Sequence, residues 1–463
     1  MAEKFVDAAV AGELGTNVAF FFLADQYVVY DYATVPDRVR DGVYPLTNFP
    51  PGNASGFPSS FAPAGSSTKL DTALRGKGPY LGYAYFFLGE KYMRFRWSPA
   101  PPAFDPNSTR EILLWNLYMR FRWNPAPPAF DPNYTREISS WNLPNTFTNI
   151  DASFNGELNR DSYCYFFKGN EYIRYIWASD SVDANYPKQI SNMVGMPATF
   201  AAGIDAAVDG GGPFINAGYL FKEDKYLKFQ WVTVGEPHVD GGIQSIQENW
   251  RGLAELLLAG KAKSQALEWL NVTRNRLAAL VSGTLPSADQ VVMTEALDTH
   301  FHFAPSDTAR ITHISNTFAL VEATLRDSAR MFRFRTNDEA VSDLGRPAID
   351  AAYTSPWPPS AATRINFTRN FPLRSERNRA STVIHEAVHV NDGLSNTPST
   401  HINEWYVSPA LAPALGLTPI FDNRPEFARR YNEMSADDAI HNPASYATFA
   451  RHLFFGFDNR EMP

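Results

Sequence analysis

Residues 381–406 read STVIHEAVHVNDGLSNTPSTHINEWY. Within them, His385-Glu386-x-x-His389 has the spacing of a metal centre carried on a helix. At about 100° per residue, His385 and His389 fall about 40° apart on one face, one turn from each other. Two imidazoles so placed suit a divalent ion, zinc above all. Glu386 lies about 100° further round, where a carboxylate reaches water at the ion without ligating it. The expected chemistry is metal-assisted hydrolysis. The ion polarises a scissile carbonyl and lowers the pKa of water, while Glu386 takes the proton and passes it to the leaving amine. Two ligands do not close a zinc site. Asp392 shares the face of His385 but lies about 10.5 Å along the axis, too far for one straight helix to enclose the ion. The run NDG followed by SNTPST reverses the chain, and beyond it stand His401, Asn403, Glu404 and Tyr406.

The elements that must hold this site are legible around it. Val383, Ile384, Ala387 and Val388 fill the side of the helix opposite the histidines, so it is expected to be buried with a polar wedge facing a cleft. Its start is expected near Ser375. Upstream, SQALEWLNVTRNRLAALVSG has helical spacing and stops at Gly283. Ser287-x-x-Gln290 reads as a capping box, and Asp307 opens TARITHISNTFALVEATLRD. RMFRFRT and TRINFTRNF read as strands, the second either an edge on which a substrate lies extended or an ordinary sheet strand. Asn442-Pro443 is a cap and first position for a last helix. His300, His302, His313, His441 and His452 read as helix-end or packing residues, and His238 as a solvated residue of a Gly-rich linker. The second half is thus an α+β, mostly helical domain.

The first half is a repeat. An apolar-Asp-small phrase occurs as VDAAV, LDTAL, IDASF and IDAAV, with Asp7, Asp71, Asp151 and Asp205 separated by 64, 80 and 54 residues. An aromatic phrase follows each: FFFLADQYVVYDY, YFFLGEKYMRFRW, YFFKGNEYIRYIW and YLFKEDKYLKFQW. Its Tyr27, Tyr92, Tyr172 and Tyr226 are separated by 65, 80 and 54 residues, so two unrelated markers keep one phase. Each aromatic phrase is expected to be two strands joined by a tight turn. Units of three or four strands cannot bury their faces alone, which predicts four blades packed radially. The long interval comes from a tandem duplication at 92–143. Residues from Tyr92 and from Tyr118 form two 26-residue segments that match at 22 positions. One copy is expected to complete blade two while the other loops outside, with no fifth blade.

The Asp-Ala strand, the YFF-G-x-x-Y-x-x-F-x-W hairpin and the closing phrase from Tyr186 to Pro197 resemble hemopexin repeats over residues 4–255. That resemblance implies a four-bladed propeller around a tunnel. It also implies a cation, Ca2+ or Na+, held there by inner-strand backbone carbonyls near Asp7, Asp71, Asp151 and Asp205. Hemopexin domains usually latch the first blade to the last by a disulfide, which a chain with one cysteine cannot form. Closure must therefore rest on packing and strand pairing. The second half resembles the aspzincin (deuterolysin-like) metallopeptidases over residues 290–455, through HEAVH, the preceding order of helices and strands, and HNPASYATFA. In that family a Gly-Thr-x-Asp-x-x-Tyr segment supplies the third ligand and a tyrosine that assists the transition state. STHINEWY stands in its place and has no Asp three residues before the Tyr. His401 is then the first choice for the third ligand, Glu404 the alternative, and Tyr406 the oxyanion donor.

Composition sets the remaining bounds. The 463 residues are 44 % hydrophobic and 19 % charged, ordinary values for globular domains, with a high aromatic share of 14 %. A net charge of −8 without a basic run excludes nucleic acid as an expected partner. No segment approaches the roughly 20 apolar residues that span a bilayer. The start of the chain lacks a signal-like pattern and Cys164 is the only cysteine, so a cytoplasmic protein is the default, with leaderless release as the alternative. The expected organisation is the propeller at 4–255, a helical linker at 256–286 and a zincin-like domain at 287–463. The expected function is that of a zinc endopeptidase, one Zn2+ per chain, acting on a peptide or protein, with the propeller binding a substrate or partner. The alternative is a hemopexin-like binding protein, for a small molecule, haem or a protein surface, whose peptidase-like domain is inactive.

Overall fold

The computed structural model describes residues 3–13, 15–50, 57, 69–97, 129–326, 331–345, 351–355, 362–391 and 431–458. The chain divides into two compact units, Met1–Arg40 with Tyr44–Leu253, and Asp41–Val43 with Ala254–Pro463.

The first unit holds four antiparallel sheets. Blade one contains β1 (Ala8–Ala11), β2 (Val18–Leu23), β3 (Gln26–Asp31) and β4 (Arg38–Val39) in that order, with β5 (Tyr44–Pro45) also on β3. Blade two contains β6 (Thr72–Arg75), β7 (Tyr83–Leu88), β8 (Lys91–Arg96) and β9 (Ala129–Glu137). Blade three contains β10 (Ala152–Asn155), β11 (Tyr163–Lys168), β12 (Glu171–Ile176) and β13 (Ser181–Val182), with β14 (Lys188–Gln189) on β12. Blade four contains β15 (Ala206–Asp209), β16 (Ala217–Lys222), β17 (Lys225–Gln230) and β18 (His238–Ser245). The first strands contact one another in the cycle β1, β6, β10, β15 and back to β1, so the sheets close into a four-bladed propeller. His238 is the first residue of β18, opposite Gln230, not a linker residue.

The repeated aspartates have a common task. Each hairpin between second and third strands turns through a residue with positive φ: Ala24 (53°), Gly89 (58°), Gly169 (55°) and Glu223 (54°). Only two of the four are glycine, so the left-handed conformation is strained in the other two. In every blade the turn N–H donates to the aspartate before the first strand. Ala24 donates to Asp7 at 2.8 Å, Gly89 to Asp71 at 2.6 Å, Gly169 to Asp151 at 2.7 Å and Glu223 to Asp205 at 2.7 Å. These charge-assisted bonds hold the turn against the inner strand and offset that strain.

The aromatic phrases fill the seams between blades. Phe22, Phe49, Phe86 and Trp97 pack between blades one and two; Phe87, Trp141, Phe166 and Trp177 between two and three; Phe154, Phe167, Phe229 and Trp231 between three and four. The closing seam is built on Trp250, which is 4 % exposed. Its ring lies 5.3 Å from Phe21 and 4.9 Å from Tyr30 of blade one, and 4.9 Å from Tyr219 and 5.3 Å from Phe221 of blade four. An indole thus occupies the junction that the resemblance assigns to a disulfide.

Blade two draws on both copies of the duplicated segment. The copy beginning at Tyr92 supplies most of β8, and the copy beginning at Tyr118 supplies β9, paired from Lys91 opposite Glu137 to Arg96 opposite Ala129. Residues 98–128 between them lie outside the described residues. Cys164 sits fully buried on β11, and burial, with Asp209 nearby, pushes its thiol well above the usual range. Iodoacetamide is expected to leave it unmodified in the native chain and to alkylate it after denaturation, as read by intact mass.

In the second unit, α1 (Leu253–Val281), α2 (Ser287–Phe301), α3 (Thr308–Arg326), α4 (Asn337–Leu344), α5 (Glu376–Asn391) and α6 (Pro443–Phe455) accompany a three-stranded sheet. Residues 256–286 are therefore mostly one long helix within this unit. The sheet order is β19 (Phe332–Phe334), β21 (Arg364–Phe367), β20 (Ala352–Ser355), so TRINF is the central strand and offers no free edge. The capping box at Ser287 does not form: Ser287 is the first helical residue, and Gln290 donates to the Leu285 carbonyl at 2.8 Å instead. Among the described residues, no helix is long and apolar enough to cross a membrane.

Candidate metal centre and propeller tunnel

Helix α5 begins after Ser375, whose hydroxyl accepts the Asn378 N–H at 3.3 Å. Val383, Ile384, Ala387 and Val388 are all fully buried, and the helix packs against α3, α6 and the strands β20 and β21. Both ends are pinned. Arg451 of α6 donates to Asn378 at 2.9 Å, and Thr324 of α3 to Asn391 at 3.1 Å. The Asn391 amide in turn donates to the Ala387 carbonyl at 2.7 Å.

On this held helix the two imidazoles converge, with His385 Nε2 and His389 Nε2 3.3 Å apart. Two nitrogens each about 2.0–2.1 Å from a tetrahedral ion stand about 3.3–3.4 Å from each other. The pair therefore fits two positions of a zinc site, and the same separation also suits a weak bond between a protonated and an unprotonated nitrogen. Glu386 is 7 % exposed. Thr354 of β20 donates its hydroxyl to Glu386 Oε2 at 2.8 Å and lies 3.2 Å from the Glu386 carbonyl. That bond holds the Glu386 carboxylate toward β20. Thr354 was not visible as a site residue, because a threonine in a short strand carries no chemical signature until the sheet sets it beside the helix.

His401, Glu404 and Tyr406 lie outside the described residues, as do Asp392 and Asn403. Among the described residues, no group of three His, Cys, Asp or Glu side chains is placed to hold a metal ion. Of the other histidines, His300 and His452 are buried and hydrogen-bonded to each other at 3.1 Å, and His300 also bonds the Tyr431 hydroxyl at 3.0 Å. They tie α2 to α6 and act as packing residues, as their positions in the sequence suggest.

The two ends of the inner strands β1, β6, β10 and β15 are furnished differently. At one, Asn155 is a hub of blade contacts. Its amide nitrogen donates to the Arg75 carbonyl and to Asp209 Oδ2, both at 2.9 Å, and its Oδ1 accepts the Trp177 indole N–H at 3.1 Å. Lys77 adds a bond to the Gly156 carbonyl at 2.7 Å and an ion pair with Glu157 at 2.8 Å. At the other, a cavity of about 290 Å³ is lined by Lys4, Lys69, Lys222, Asp71, Asp151 and Asp205 among others. Asp71 is held above the usual carboxylate range by burial, against the pull of the Gly89 amide and Lys69. The carboxylates of Asp7, Asp71, Asp151 and Asp205 are engaged with the hairpin turns described above.

No protein-family profile matches the chain. A stretch of 114 residues, 24 % of the chain, is 28 % identical to Albumin-2 of Lathyrus sativus. It spans 48 % of that protein, so the chain covers about half the length of this curated relative. Among solved structures, the hemopexin-fold protein CP4 from cow pea is 20 % identical, with a TM-score of 0.37 over 53 % of this chain and 96 % of that one. The seed albumin LS24 from Lathyrus sativus is 20 % identical, with a TM-score of 0.37 over 54 % and 96 %. A Cicer arietinum lectin described as having two metal-binding sites is 22 % identical, with a TM-score of 0.37 over 53 % and 95 %. The likeness belongs to the first half, which matches hemopexin-fold seed albumins.

Proposed function

We propose that this chain is a binding protein built on a hemopexin-type propeller, joined to a second unit in which His385 and His389 hold a divalent ion for peptide hydrolysis. The binding part is supported by the four-bladed ring and by the identity to Albumin-2. The hydrolytic part is carried by one observation, the 3.3 Å approach of the two Nε2 atoms, on a helix whose Glu386 carboxylate accepts the Thr354 hydroxyl. It accords with the resemblance to aspzincins.

His385 and His389 would hold the ion, with His401 or Glu404 as the third ligand. Bound there, zinc would supply Lewis acidity toward a peptide carbonyl and a lowered pKa for water. Glu386 takes the proton from the attacking water and delivers it to the leaving amine. Thr354 keeps that carboxylate from rotating away, and Tyr406 is the proposed donor to the developing oxyanion. With TRINF in the sheet centre, β20, which carries Thr354 and is an edge strand among the described residues, is the proposed place for an extended substrate.

Metal analysis of the purified full chain tests the hydrolytic part. About one zinc per chain is expected, falling to trace levels in His385→Ala and His389→Ala. A chain that retains no zinc under conditions where its fold is intact would leave the binding reading alone. That second reading, a hemopexin-like binding protein with an inactive second unit, is the one the comparisons favour, since the likenesses belong to the propeller half.

A further inference from the structure

We infer that the tunnel mouth carries its own cation: the Lys4 ammonium, aided by Lys69, takes the place the resemblance gives to a metal ion and fastens blade one to blade four. Lys4 Nζ donates to the Asp205 carbonyl at 3.1 Å and stands 3.5 Å from Asp7 Oδ1. Lys69 Nζ lies 3.0 Å from the same Asp7 oxygen. Asp205 belongs to blade four, Asp7 to blade one, and Lys69 leads into blade two, so the two ammonium groups span three blades. Beside Lys4, the Phe5 N–H donates to the Glu223 carbonyl at 3.3 Å, laying the N-terminal segment across the same junction.

A calcium ion needs six to eight oxygens at about 2.3–2.6 Å. Here one of the four expected carbonyls accepts an ammonium proton, and all four carboxylates accept hairpin amides. A second cation at those oxygens would also meet the ammonium charge at close range. Lysine supplies what the ion would supply, a positive charge on inward-facing oxygens of different blades. The inference is independent of any hydrolytic role for the second unit.

The test uses the full chain carrying His385→Ala, which removes the other proposed metal site from the readout. Calorimetry and equilibrium dialysis are run with and without millimolar Ca2+, and the propeller transition is identified as the one displaced by Trp250→Ala. With Lys4 intact, no calcium uptake and no shift of that transition are expected. Lys4→Met combined with Lys69→Met is expected to lower it by about 2–4 °C and to make it recover in calcium, because the Asp205 carbonyl and Asp7 Oδ1 both lose their ammonium partners to a hard cation. Lys4→Arg should keep the calcium-insensitive behaviour. Calcium uptake that raises the propeller transition with Lys4 in place would overturn the inference. So would a double Lys4→Met, Lys69→Met chain that melts unchanged, or one that melts lower without responding to calcium.

Discussion

Trp250→Ala is expected to destabilise the propeller by about 3–5 kcal/mol, the range for truncating a buried tryptophan to alanine. The ring bridges the ends of a closed structure: Phe21 and Tyr30 come from the first blade, Tyr219 and Phe221 from the last. Truncation leaves a cavity where no covalent tie can compensate, since the only cysteine is buried in blade three. The loss is therefore expected to exceed that of a tryptophan within one seam such as Trp231, where the blades on both sides remain chain-connected. Urea unfolding followed by calorimetry checks both values. A loss below about 1 kcal/mol would mean that closure rests elsewhere.

Glu386→Gln is expected to reduce peptide hydrolysis about 10²–10⁴-fold while leaving zinc content unchanged. The two readouts separate roles. Glutamine keeps the shape and an acceptor for the Thr354 hydroxyl, so the helix and the histidine pair stay as they are, but it cannot take a proton at neutral pH. A peptide library cleaved by the parent chain and spared by the variant, with equal metal in both, assigns the base. Equal cleavage by both would remove Glu386 from the chemistry. Lost metal in the variant would make it a ligand and not a base.

The propeller was legible because its information is repeated. Four copies of an Asp phrase and four of an aromatic phrase in constant phase announce a unit that must stack, and the polar turn inside each aromatic phrase marks the hairpin. What the repeats did not reveal was the task of the aspartates, which clamp turns two strands later in the sequence. A side chain at the start of one strand and an amide in a distant turn meet only once the sheet has formed. Helix α5 was legible from a local pattern, its buried face and its histidine spacing, and Ser375 and Asn442-Pro443 were legible as caps. Ser287 misled, because a Ser-x-x-Gln spacing also arises when the glutamine turns back to a preceding carbonyl. The capping box that does form, Thr336 with Glu339, has the same kind of spacing. TRINF left two readings open, and the sheet order gives the ordinary strand. Alternation identifies a strand, but its rank in a sheet depends on β19 and β20, which lie on either side of it only after folding.

Blade two shows how the fold absorbs change. Its third strand and its fourth come from different copies of one duplicated segment, yet they pair from Lys91–Glu137 to Arg96–Ala129 with one bulge. Excising one 26-residue copy would return this repeat from 80 to 54 residues, the length of its neighbour. A foreign epitope spliced between Arg96 and Ala129 is accordingly expected to leave the pairing of β8 with β9 as it is.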